Sequence, residues 1–247
     1  LNYMKIIHVI SGLTKGGGER VAVELANKSV DNGDEVTLLA GWPVDPSFLQ
    51  NDVNSNIAVK FVSNKRIFAY LYIIPFLIKN KFWINTNDII HCHLTFGGVF
   101  GYMANLLLRN KKFKVVETYH AVGMHIPKFN RWLHSKLMLL KDGVVFMAND
   151  SYWDNFVKNN KRLKSAIIPN GIKLLDIEKN KNKKADFPSN FSISKHTNLV
   201  GTIGMLRPDR KPSLYITVFK FIKDFIKEEV HFILGGDGIE FQKIKDL

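Results

Sequence analysis

Short apolar runs rich in valine and isoleucine recur through the first 170 residues, each followed by a longer stretch whose apolar positions return every three or four residues. The runs suit buried strands and the stretches suit helices, so their alternation predicts a doubly wound parallel sheet covered by helices on both faces. Strands are expected at 5–10, 35–40, 58–62, 88–93, 114–118, 143–147 and 165–168. After the first of them, residues 11–18 read as a flexible glycine-rich loop leading into a helix from about Glu19, with Val21, Ala22, Leu25 and Ala26 as its apolar stripe. Asn32-Gly33 ends that helix as a C-terminal cap would.

The pattern breaks at 173–198, a stretch of Lys, Asn, Ser and Asp with little period of either kind, which reads as a linker. Order returns with a strand at 199–203, a helix over about 212–226 with Leu214, Val218, Phe221, Ile222 and Phe225 inward, and a strand at 230–234. Gly235-Gly236-Asp237-Gly238 and the start of another helix follow. The expected organisation is an N-terminal Rossmann-like domain over 1–172, a linker over 173–198, and the opening part of a second such domain over 199–247. Roughly 50 residues are fewer than the ~100 of a self-sufficient α/β domain, so the chain reads as cut within its second domain.

With 46% hydrophobic and 23% charged residues, the composition excludes a disordered or collagen-like chain. The longest apolar stretch, 67–78, contains Pro75 and falls short of the ~20 residues that a bilayer span needs. No signal peptide is expected, because the apolar run 6–10 is too short for one. The 35 Lys and Arg against 22 Asp and Glu leave a charge of +13, which draws anionic partners: phosphate-bearing substrates, lipid headgroups or nucleic acid. Nucleic acid is not expected, since no zinc spacing, aromatic RNA-binding strand or recognition helix accompanies the charge. The single cysteine, Cys92, cannot form an internal disulfide and agrees with a reducing, cytoplasmic compartment.

In an open parallel sheet, ligands bind beyond the carboxyl ends of the strands. The residues expected there are polar: Gly16-Gly17-Gly18, Leu94-Thr95, Thr118-Tyr119-His120, Asn149-Asp150-Ser151 and Pro169-Asn170-Gly171. Three glycines before a helix start let backbone N–H groups approach a phosphate or sugar, although an ordinary strand-to-helix turn would look the same. A P-loop fails because Gly18 stands where its lysine belongs, and a dinucleotide fingerprint fails at Val21 and for want of an acid after the second strand. His91 is expected to be a packed strand residue, His93 on the same face a site residue or a packed one, and His120 the best catalytic candidate. A zinc site joining His91, Cys92 and His93 is not expected, because strand neighbours point to opposite faces. Arg207, Arg210 and Lys211 follow the first strand of the second segment, where they could clamp a diphosphate or simply form a solvated turn.

In their order, Gly16-Gly17-Gly18-Glu19-Arg20, Asp88-Ile89-Ile90-His91-Cys92-His93, Thr118-Tyr119-His120, Ile168-Pro169-Asn170-Gly171-Ile172 and the late Gly-Gly-Asp-Gly resemble glycosyltransferase family 4, retaining enzymes of GT-B architecture. The resemblance implies transfer of a sugar from a nucleotide-sugar donor to a glycan or lipid-linked acceptor, commonly in cell-surface polysaccharide assembly. It implies no metal or other cofactor. By the same resemblance Gly17 and Gly18 approach the donor phosphate or the acceptor, and Arg207, with Arg210 or Lys211, neutralises the departing diphosphate. His120 contacts the transferred sugar, while Gly16, His93, Thr95, Asn149 and Asn170 offer acceptor or sugar contacts. Two departures stand out: Gly204-Met205-Leu206-Arg207-Pro208-Asp209-Arg210-Lys211-Pro212 differs from the family's Gly-Arg-Leu and Lys-Gly spacing, and its paired glutamates fall beyond Leu247. The alternatives are a non-catalytic acceptor-binding protein and, after it, a basic nucleic-acid-binding protein. The basic apolar stretches 65–83 and 111–141 make an anionic membrane surface a candidate partner, on the inner face of the cell membrane.

Overall fold

The computed structural model describes residues 3–13, 16–43, 51–108, 111–120, 127–171, 197–226 and 228–247. They divide into two compact units, 1–172 and 173–247. The expected linker lies outside the described residues except for Thr197 and Asn198.

The first unit is an α/β layer structure. Its strands are β1 (Lys5–Gly12), β2 (Glu35–Trp42), β3 (Ala58–Phe61), β4 (Ile89–His93), β5 (Lys114–Tyr119), β6 (Gly143–Phe146) and β7 (Ser165–Ile167). All neighbours pair in parallel, in the order β3-β2-β1-β4-β5-β6-β7. The order reverses between β1 and β4, and this switch point is where an open sheet leaves a crevice above its carboxyl edge. In between run α1 (Gly17–Asp31), α2 (Arg66–Ala69), α3 (Ile73–Lys79), α4 (Lys81–Asn85), α5 (Leu94–Leu107), α6 (Lys128–Met138) and α7 (Ser151–Asn159).

Side chains alternate across each strand, and the two faces of the sheet take different helices. On one face Ile7, Val9, Ile90, Cys92 and Val115 pack on Phe96, Phe100 and Ala104 of α5, together with Ile73 and Leu77 of α3. On the other, Ile10, Leu38 and Ala40 pack on Ala22, Val23 and Ala26 of α1. The buried stripe of α1 is therefore shifted by one position from the expected one, and Leu25 is exposed. The reason is the docking angle, which turns Val23 to the sheet instead. The helix ends as expected, at Asn32, with Gly33 in the left-handed region at φ 96°. On α5, glycines allow close seating: a Cβ on Gly97 would lie 2.5 Å from the Val9 carbonyl oxygen.

The second unit holds β8 (Asn198–Ile203) and β9 (Val230–Gly235), a parallel pair, with α8 (Ser213–Phe225) between them and α9 (Phe241–Lys245) after. Here the expected inward face of α8 is corrected. Leu214, Val218, Phe221 and Phe225 are exposed, and the helix meets its sheet through Phe219, stacked on Phe232 with ring centroids 4.8 Å apart. α8 carries two adjacent apolar stripes, and a sheet of two strands covers only one of them.

Candidate active site

β1 delivers its chain to the rim through Leu13, and α1 opens at Gly17 with Gly16 as its extended N-cap. Among the described residues no side chain caps this helix start, and Glu19 sits in its first turn. Gly17 is exposed, and a Cβ there would meet nothing within 4 Å. A Cβ on Gly18 would come within 2.6 Å of Leu94 Cδ2, so the turn after β1 abuts the turn after β4. Leu94 itself holds φ 60°. For a branched L-residue this left-handed backbone costs about 1–2 kcal/mol, and it arises because α5 begins directly after His93, with no loop between strand and helix. Thr95, in the first turn of α5, is exposed at the rim.

Four histidines gather beneath this turn on the α1 face. His8 on β1 lies in register with His91 on β4, and His93 lies in register with Thr118 on β5. His8 Nδ1 is 3.1 Å from His93 Nε2, and His93 Nδ1 is 3.2 Å from His120 Nε2. His91 Nε2 is 2.8 Å from Thr118 Oγ1. Burial holds His8 and His93 well below the usual imidazole range, with further lowering by neighbouring imidazoles, and it pushes His91 and His120 down to about 4. All four are neutral at pH 7.

His93 was expected as an acceptor or sugar contact or else as a packed strand residue. It is fully buried, with each ring nitrogen within hydrogen-bond distance of another imidazole, because the strand period turns it under the sheet's helical cover. It reaches the rim only through His120, which is partly exposed. His8 was not among the expected site residues: its partner lies 85 positions away, and only the strand order brings them together. Among the described residues His8, His91 and His93 also bring one ring nitrogen each within 4.8 Å of one another. Cys92 points to the opposite face, where burial raises its thiol to about 12 despite Lys141 nearby.

The remaining rim residues spread outward along the carboxyl edge. Exposed Asn149 follows β6, and exposed Asn170 follows β7 at the sheet's edge, about three strand spacings of ~4.8 Å from β4. The structure thus gathers Gly16, Gly17, Gly18, Thr95 and His120 around the switch point and leaves Asn149 and Asn170 to one side. In the second unit, Arg207 follows β8, Arg210 closes a short 3-10 turn, and Lys211 holds φ 47°. The loop after β9 lies directly against this segment. A Cβ on Gly236 would sit 1.9 Å from the Gly204 oxygen, and the Leu206 N–H donates to the Asp237 carbonyl.

A doubly wound parallel sheet of this order, with a glycine-led helix start and a partly exposed imidazole near its switch point, and a second unit with its own parallel strand pair, match the architecture of GT-B glycosyltransferases. A sequence model of Glycosyltransferase Family 4 matches residues 15–174, and the chain belongs to that family. Solved structures share the fold at low identity. Anabaena HepE in complex with UDP is 18% identical with a TM-score of 0.68, the match covering 98% of this chain and 64% of that one. A glycosyltransferase from Rickettsia africae is 14% identical with a TM-score of 0.64, over 100% of this chain and 64% of that one. A Staphylococcus aureus TarM mutant in complex with fondaparinux, alpha-GlcNAc-glycerol and UDP is 11% identical with a TM-score of 0.67, over 98% of this chain and 74% of that one. The chain therefore spans about 64% of the length of the first two. No curated protein matches it in sequence.

Proposed function

We propose that this chain acts in the transfer of a sugar from a nucleotide-sugar donor to a glycan or lipid-linked acceptor, with retention of anomeric configuration, in the assembly of a cell-surface polysaccharide. The observation that carries this reading is the convergence of Gly17, Gly18, Thr95 and His120 at the switch point of a family 4 sheet. HepE and TarM, which share the fold, were each solved with UDP, which favours a uridine diphosphate donor.

On this reading the bond from the anomeric carbon to the diphosphate breaks while the acceptor oxygen bonds the same face of that carbon. The acceptor proton passes to the departing phosphate oxygen, so no protein nucleophile or general base is needed. His120 donates to an oxygen of the sugar being moved. In the first unit the N–H groups at the start of α1 offer donors to a phosphate oxygen, and in the second unit Arg207, Arg210 and Lys211 offer cations suited to a departing diphosphate. No metal enters this scheme.

A membrane surface suits the same reading. Residues 53–87 contain five Lys or Arg and no Asp or Glu. Within this stretch Ile67, Leu71, Ile78 and Phe82 on and beside α2–α4 are exposed, Phe82 by 78%. None of the helices among the described residues is long and apolar enough to cross a membrane. An interfacial patch of apolar side chains ringed by cations would rest on anionic headgroups at the cytoplasmic face.

The test is chemical-shift mapping of the chain with a panel of UDP-sugars and polyprenyl-phosphate-linked acceptors. Perturbations at Gly17, Thr95 and His120 are expected, and no response at that rim to any of these ligands would overturn the reading. Sedimentation with anionic and zwitterionic vesicles tests the surface: salt-sensitive binding to the anionic ones, reduced in Ile67→Ser/Leu71→Ser, is expected, and equal indifference to both removes it.

A further inference from the structure

We infer that His93, backed by His8, is a positioning residue that fixes the tautomer of His120, so that His120 presents an Nδ1–H donor to an oxygen of the bound substrate and has no lone pair to act as a base. The substrate half of this statement rests on the sugar-transfer reading, whereas the tautomer half rests on the hydrogen-bond geometry alone.

Three imidazoles form a file that climbs from mid-sheet to the rim: His8 Nδ1 to His93 Nε2 at 3.1 Å, then His93 Nδ1 to His120 Nε2 at 3.2 Å. A neutral imidazole carries one N–H and one lone pair. Each link needs one of each, and His93 uses both its nitrogens, so the protons along the file must all point the same way. Only two orders exist.

In the inward order, His120 Nε2–H donates to His93 and His93 Nε2–H donates to His8 Nδ1. His8 must then carry its own proton on Nε2, which is buried and has no hydrogen-bond partner among the described residues. In the outward order, His8 Nδ1–H donates to His93 Nε2 and His93 Nδ1–H donates to His120 Nε2. The orphan is then a bare lone pair on His8 Nε2, and both N–H groups inside the file have acceptors, while the third, on His120 Nδ1, faces the rim. Orphaned buried N–H groups are the rarer defect in folded proteins. The outward order therefore holds, and it leaves His120 with its proton on Nδ1 and its acceptor nitrogen already occupied. Protonation of the file, which would allow other orders, is opposed at pH 7 by the burial that depresses His8, His93 and His120.

The same residues could be read as metal ligands, since His8, His91 and His93 approach one another. Their geometry favours the hydrogen-bond file. His93 has both ring nitrogens engaged, with His8 at 3.1 Å and His120 at 3.2 Å, and His91 Nε2 is engaged with Thr118 Oγ1 at 2.8 Å.

The consequence is chemical. A neutral Nδ1–H donor suits a sugar hydroxyl or a diphosphate oxygen, and it fits a transfer in which the leaving group, not the protein, takes the acceptor's proton.

The test is a long-range proton–nitrogen NMR correlation on the substrate-free, histidine-labelled chain at pH 7. The expected spectrum shows His8, His93 and His120 all protonated at Nδ1. In His93→Leu, His120 should become a mixture of tautomers and titrate closer to its ordinary value, while Thr118→Val, which removes only the partner of His91, leaves His120 unchanged. His120 protonated at Nε2 in the wild-type chain overturns the inference, as does an unaltered His120 pattern in His93→Leu. Stoichiometric Co²⁺ binding that shifts His8, His91 and His93 also overturns it. Should His93→Leu fail to fold, the wild-type spectrum alone still decides between the two orders. With no substrate present, this experiment can fail while sugar transfer stands, and it can succeed while the donor-mapping experiment fails.

Discussion

Lys141→Met should cost the first unit about 3–5 kcal/mol, because it strands a carboxylate in the interior. Lys141 and Glu117 form an ion pair whose side chains are 0% and 2% exposed. Glu117 lies on β5, three residues before His120, on the face covered by α5. The seal is tight: a Cβ on Gly98 would lie 3.1 Å from Glu117 Oε1 and 3.6 Å from Lys141 Nζ. Water cannot replace the lost ammonium in such a slot. Methionine matches the length of the lysine stem, so packing is largely kept and the loss is electrostatic. Replacing both partners, Glu117→Leu with Lys141→Met, removes the charge to be solvated and should return stability to within about 1 kcal/mol of the wild type, or above it. Urea unfolding followed by tryptophan fluorescence reads this unit alone, since Trp42, Trp83, Trp132 and Trp153 all lie within 1–172. With an m-value of about 2 kcal/mol/M, the single variant's midpoint should fall by about 1.5–2.5 M. A single variant within about 1 kcal/mol of wild type, or a double variant less stable than the single, would refute the reasoning.

Glycines separate packing from function. Gly97→Ala places a methyl 2.5 Å from a backbone oxygen of β1, so it should lower stability by about 1–3 kcal/mol despite alanine's gain of roughly 1 kcal/mol in helix propensity. Gly17→Ala meets open space and should leave the thermal midpoint unchanged or slightly higher, while weakening any UDP-sugar response at the rim; a midpoint drop equal to that of Gly97→Ala would contradict both statements. Acid should destabilise the fold through the histidines. The unfolded chain takes up protons near pH 6.5 while the folded one resists down to about 4, so stability falls as pH drops through that window, each histidine adding up to about 1.4 kcal/mol per pH unit. Urea midpoints equal at pH 7 and pH 5 would show that these imidazoles are not held neutral. Asp150 accepts from the Tyr152 and Trp153 backbone N–H groups at the start of α7, and Asp150→Ala should cost about 1 kcal/mol in the same assay.

Strand positions were legible because each buried strand is a short apolar run between polar turns. The expected strand at 143–147 and the observed Gly143–Phe146 differ by a single residue. The rim was legible for the same reason, since whatever follows a parallel strand stands at its carboxyl edge. What periodicity does not carry is lateral order. His91 and His93 announce a shared face by their spacing, but nothing in Lys5–Gly12 says that His8 will stand beside them. That follows only from the placement of β4 next to β1. Glu117 and Lys141 were hidden by the same blindness: read along the chain, each is a charge near a strand, and only the close approach of α5 through Gly98 and Gly101 makes them a sealed pair. The stripe of α8 was misassigned for a complementary reason. A helix with two apolar stripes reads equally well with either one inward, and the partner sheet makes the choice. The chemistry of this site therefore lies where two strands distant in sequence become neighbours. His8, buried and polar with a ring nitrogen that has no partner among the described residues, is the mark such a neighbourhood leaves in the structure and not in the sequence.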